Sequence, residues 1–97
     1  MKAVNIIFFG HVQGVGFRYR TEQVAASFPV AGFVRNLRDG TVELFAEGEP
    51  LEVDKFLDAV KSRMVANIEQ INTVEVSPVG YPNFSVLPTV DRPYPEK

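Results

Sequence analysis

"VAGFVRNLRDGTVELFAEG", Val30–Gly48, decides the fold. It contains two alternating runs joined by "RDG", Arg38–Gly40. Asp-Gly supplies the positive φ that a tight hairpin turn requires. The first run places Val30, Val34 and Asn36 on one face, and the second points Val42, Leu44 and Ala46 inward. The stretch therefore reads as a hairpin in the middle of the chain. Its neighbours follow another period. Upstream, Phe17, Thr21, Val24, Ala25 and Phe28 recur at helical spacing, and Pro29 ends that helix by removing a donor. Downstream, Pro50 suits a first helical turn, and Val53, Phe56, Leu57, Val60 and Met64 form an apolar stripe.

Strands flank both helices. "AVNIIFF", Ala3–Phe9, places Val4, Ile6 and Phe8 on one face and Asn5 on the other, and "INTVEVSPV", Ile71–Val79, alternates as a fourth strand. "NFSVLP", Asn83–Pro88, fits a short fifth. From about Pro88 to Lys97 the chain reads as a C-terminal tail of one domain spanning 1–97. The order is βαββαβ, and right-handed crossovers put both helices on one face of an antiparallel sheet. This is the ferredoxin-like sandwich of the α+β class, which hosts many functions and by itself decides none.

Composition narrows the possibilities. The 97 residues are 45% hydrophobic with a net charge of −2, enough for a single globular core. No basic block provides the electrostatic footprint of a nucleic-acid binder. With no cysteine, disulfides, thiolate metal sites and a thiol nucleophile are all absent, which fits a cytoplasmic protein. "AVNIIFF" is too short to span a membrane and has no cleavage pattern beside it, so the chain is expected to be soluble and unprocessed.

"GHVQGVGFRYR", Gly10–Arg20, joins the first strand to the first helix. Gly14, Val15, Gly16 and Phe17 stand where Ser, Thr, Asp or Asn would cap that helix. Its first N–H groups are left to find an acceptor, and either water or an anion would serve. Gly14 and Gly16 allow several N–H groups to turn toward one centre. Arg18, in the first turn, opposes the helix dipole unless an anion lies beside it, and its guanidinium fork suits phosphate oxygens. The competing reading is an ordinary glycine loop with a solvated arginine. Asn36 also has two readings: it caps the turn before "LRDG", or it reaches the loop and holds a water. His11, the one histidine, has no spaced partner for a metal or triad role. Glu22, Asp39, Glu43, Glu47, Glu49, Glu52, Asp54 and Asp58 read as solvated faces and turns.

At "GHVQGVGFR", Gly10–Arg18, and "GFVRNLRDG", Gly32–Gly40, the sequence resembles the acylphosphatase family. "VELFAEG" and "FLDAVK" continue the match, which runs from about Val4 to Leu87. It departs at "SRMVANIEQIN", Ser62–Asn72, where the family's Gly-Pro turn is missing, so the length of the second helix stays open. The resemblance implies hydrolysis of the carboxyl-phosphate bond of small acyl phosphates, with no cofactor. It implies that the amides of Gln13, Gly14, Val15, Gly16, Phe17 and Arg18 cradle the phosphate, that the Arg18 side chain binds it, and that Asn36 orients the attacking water.

These roles explain what the sequence lacks. A carboxylate leaves without needing a proton, so no general acid is required. The loose transition state spreads charge over the phosphoryl oxygens, where fixed N–H dipoles and Arg18 can match it. Neither a metal nor a phosphoenzyme nucleophile is needed, and the substrate phosphate is one acceptor for the water's proton. The expected partners are a small acyl phosphate and inorganic phosphate or sulfate as product or analogue; nucleic acid, a membrane and oligomer partners are not expected. The alternatives are a non-catalytic phosphate- or carbamoyl-phosphate-binding module, an inactive chain that keeps the fold, and an RNA-binding domain stacking bases on Phe9 and Phe45.

Overall fold

The computed structural model describes residues 1–94; the last three residues of the expected tail lie outside the described residues. The elements are β1 (Lys2–Gly10), α1 (Phe17–Ala25), β2 (Ala31–Asn36), β3 (Val42–Gly48), α2 (Pro50–Arg63), β4 (Ile68–Val76) and β5 (Phe84–Val86). The strands form one sheet in the order β4-β1-β3-β2-β5. The first four pair antiparallel, but β5 joins β2 in parallel at the edge, so the sheet is mixed rather than purely antiparallel. Both helices lie on one face. This is the ferredoxin-like sandwich.

The helix-side core follows the alternation. Val4, Ile6 and Phe8 of β1, Val34 of β2, and Val42, Leu44 and Ala46 of β3 meet Phe17, Val24 and Ala25 of α1 and Val53, Phe56, Leu57, Val60 and Met64 of α2. The boundaries show local causes. α1 ends at Ala25, earlier than Phe28, and the chain tightens through i→i+3 bonds from Ser27 N–H to Val24 O and Phe28 N–H to Ala25 O. Pro29 disfavours a helical conformation at Phe28, so the last turn cannot stay α. Pro50 opens α2, and Lys61 and Arg63 complement the dipole at its end. α2 stops at Arg63, and β4 starts three residues before the expected Ile71.

The opposite face of the sheet differs most from expectation. Glu43 and Glu47 do not sit on a solvated face: they are 0% and 2% exposed. Their parity does direct them away from the helices, but that face is covered by the chain that follows β4. Glu47 accepts hydrogen bonds from the N–H groups of Val79, Gly80 and Tyr81 at 2.7–2.8 Å. Glu43 accepts from Arg35 Nε at 2.6 Å, Asn5 Nδ2 at 2.9 Å and the Tyr94 N–H at 2.5 Å. Each buried carboxylate is thus fully partnered, which is the condition for burying a charge. Around them Phe33 and Phe45 stack, and Tyr81 and Tyr94 meet Phe45 edge-on with centroids 5.3 Å away. Phe45 is 0% exposed, so it offers no surface for base stacking.

Candidate active site

The loop between β1 and α1 is placed by its apolar residues. Val12 and Phe17 are buried in the core, Val15 packs against it, and the Phe17 ring lies 5.0 Å from that of Phe8. A register shift at Phe9/Gly10 bends β1 into the loop. The His11 N–H donates to Asn67 O at 3.0 Å. The α2–β4 connection, distant in sequence, therefore touches the base of the loop. His11 itself is exposed.

Gly16 is the N-cap of α1 at φ 79° and ψ 19°, and no side chain caps the helix. Gly14 has φ 75°. A Cβ at Gly14 would meet nothing within 4 Å, so the backbone conformation, not space, requires glycine there. The alternation of roles is clear: Val12, Val15 and Phe17 hold the loop to the core, while Gly14 and Gly16 face outward.

Asn36 ends β2 and is half-buried. The turn after it is capped by Asp39 instead: Asp39 Oδ1 accepts from the Thr41 N–H at 3.0 Å and the Thr41 hydroxyl at 2.5 Å. These bonds, the hydroxyl's first, hold the Asp39 carboxyl below its ordinary pKa. The turn thus has its own cap without Asn36. Gln13 turns its side chain away from the loop and donates to Leu37 O at 2.7 Å and Thr41 O at 2.8 Å. It ties the loop to the two ends of the β2–β3 turn.

These elements enclose a cleft of about 390 Å³. Gly14, Gly16, Phe17, Arg18 and Asn36 line it together. Gln13 and Val15, read from sequence as part of the same cradle, point their side chains to the hairpin and the core. Tyr19 and Val86 also line the cleft and were not singled out from sequence, and Glu22, read there as part of a solvated face or turn, lines it as well. Glu22 lies four positions after Arg18, so helical spacing was a signal for it; Tyr19, the next residue after Arg18, had no such signal, and Val86 becomes a neighbour only through the parallel pairing of β5. Among the described residues, Arg18 takes part in no ion pair, and no three His, Cys, Asp or Glu side chains gather as a metal site.

The fold and the cleft define the class: a small ferredoxin-like α+β domain with a pocket at the uncapped N-terminus of its first helix. The Acylphosphatase family model matches residues 4–86. The chain is 44% identical to an acylphosphatase of Archaeoglobus fulgidus over 87 residues, covering 89% of this chain and 98% of that one. The crystal structure of acylphosphatase from Bacillus subtilis superposes with a TM-score of 0.81 at 36% identity, over 90% of this chain and 99% of the other. Full-length HypF in its phosphate- and nucleotide-bound form superposes at 0.80 with 28% identity, over 93% of this chain but only 12% of HypF. The chain belongs to the acylphosphatase family. It is an enzyme that hydrolyses acyl phosphates to a carboxylate and inorganic phosphate.

Proposed function

We propose that the backbone N–H groups of Gln13–Arg18 cradle the phosphoryl group, that the Arg18 guanidinium clamps its oxygens, and that Asn36 orients the attacking water. One observation carries this reading: Gly14, Gly16 and Arg18 share a single cleft with Asn36, which arrives from a separate strand. The uncapped helix N-terminus supplies donors and a favourable dipole for an anion. Arg18 adds a planar pair of donors. Asn36, with the turn already capped by Asp39, is available to the water.

In the reaction, the water oxygen forms a bond to phosphorus as the bond from phosphorus to the acyl oxygen breaks. The carboxylate leaves with that electron pair and needs no proton. The water's proton passes to a phosphoryl oxygen. Charge that builds on the equatorial oxygens meets N–H dipoles and a guanidinium already in place, so little reorganisation is required. The chemistry asks for no metal. We read the protein as a cytoplasmic monomer acting on small-molecule substrates without engaging nucleic acid; the absence of cysteine supports the compartment and the net charge of −2 the lack of a nucleic-acid partner.

Acetyl and benzoyl phosphate hydrolysis, assayed with and without EDTA, tests the mechanism. Turnover should be equal in both, and inorganic phosphate should inhibit competitively and raise the Tm. The Tm shift should shrink in Arg18→Ala. An identical shift in both proteins would place the anion elsewhere, and activity lost to EDTA and restored by magnesium would overturn the metal-free step.

A further inference from the structure

Glu22 lines the cleft, and nothing in the mechanism above uses it. It stands about 9 Å along the axis of α1 from the N-cap Gly16, at 1.5 Å per residue. It also borders a second hollow of about 420 Å³, shared with Ala26, Phe28 and Phe84, so it marks the outer limit of the cleft. Tyr19, three residues before Glu22 on α1, also lines the cleft. Its side chain is largely in water, the residue being 63% exposed, and its hydroxyl accepts a hydrogen bond from Gln23 Nε2 at 3.1 Å, one helical turn on. On the β5 side, Val86 is 37% exposed. An aromatic residue and an aliphatic one thus line the cleft together with one carboxylate. Among the described residues Glu22 takes part in no ion pair.

A phosphoryl group at the helix N-terminus leaves this outer part of the cleft to the rest of the substrate. We propose that Tyr19, Glu22 and Val86 form the acyl subsite, which favours flat or apolar neutral acyl groups and disfavours those carrying a second carboxylate. The inference rests on the phosphoryl placement proposed above. Tyr19 and Val86 supply apolar surface that an acyl group would cover, and an aromatic acyl group gains further from the Tyr19 ring. Glu22 supplies the repulsive element on which discrimination between charged and neutral substrates depends.

The test compares kcat/KM for acetyl, benzoyl and succinyl phosphate in the wild type, Glu22→Gln and Tyr19→Ala. Ratios between substrates cancel effects on the shared phosphoryl end. Glu22→Gln should raise succinyl relative to acetyl phosphate by about threefold or more, the effect of one like charge at roughly 6 Å through water. Tyr19→Ala should lower benzoyl relative to acetyl phosphate by about fivefold, the size of a lost aromatic contact. An unchanged ratio in either variant, with inorganic phosphate still a competitive inhibitor, removes that residue from the subsite and leaves the phosphate site standing. Failure of phosphate to compete in the wild type would instead overturn the phosphoryl placement, and the subsite with it.

Discussion

Arg18 is a cation in the first turn of α1, where the helix dipole disfavours it; that turn holds no acidic residue, and among the described residues Arg18 takes part in no ion pair. In the proposed mechanism the bound phosphoryl group provides the compensation. Arg18→Ala should therefore leave the stability of the free protein unchanged or slightly higher while nearly abolishing turnover. Arg18→Lys should remain impaired in kcat/KM by about a hundredfold, because a point charge cannot replace a two-pronged donor. Steady-state kinetics beside thermal denaturation checks both, and near-normal activity with lysine would contradict the clamp. Three residues further on, Thr21 is 0% exposed and its Oγ1 has no hydrogen-bond partner among the described residues. Thr21→Val keeps the shape and removes the unpaired hydroxyl. Stability should rise by about 1 kcal/mol in urea denaturation; a fall would show that the hydroxyl has a partner in solution.

The element proposed to bind the phosphoryl group is the loop together with its fastenings. Its glycines and missing cap were readable in the sequence because both are local: a helix start without Ser, Thr, Asp or Asn is visible in a few consecutive residues. The clamp made by the Gln13 side chain was not readable, since its acceptors at Leu37 and Thr41 lie on another hairpin. The early end of α1 and early start of β4 escaped for a related reason. Hydrophobic spacing marks which residues face the core, not where the backbone changes its hydrogen-bond partners. Gln13→Ala leaves two carbonyls without this donor and frees the loop from the turn beside Asn36. The loss expected is about 2 kcal/mol of stability, with kcat reduced by roughly tenfold as the cradle and Asn36 lose their fixed separation. Kinetics at a temperature where the variant is fully folded separates the two effects; unaltered kcat there would make the clamp purely structural.

For the whole molecule, alternation correctly assigned the helix-facing residues, and local sequence could not reveal that the other face is covered as well. Glu43 and Glu47 look like solvent-facing positions until the segments at Val79–Tyr81 and Tyr94 fold back to bond them. Tyr94 lies beyond the family-matched residues 4–86 yet packs edge-on against Phe45. Tyr94→Ala should lower stability by about 2 kcal/mol through lost apolar burial and ring contact. Because Tyr94 sits on the face opposite the helices and cleft, kcat should not change. Equilibrium denaturation with parallel assays checks this, and a large drop in kcat would mean that the outer face is coupled to the site. The fold brings two separate motifs to one cleft, the loop after β1 and the end of β2.

The central claim divides labour between those motifs: the loop and Arg18 bind, and Asn36 positions the water. Asn36→Ala tests it most directly, measured as kcat, kcat/KM and the inhibition constant for inorganic phosphate. The cradle is untouched by the change, so phosphate inhibition should stay within about twofold while kcat and kcat/KM fall together by on the order of a hundredfold or more. A variant that keeps near-normal kcat would remove Asn36 from the chemistry and contradict the division.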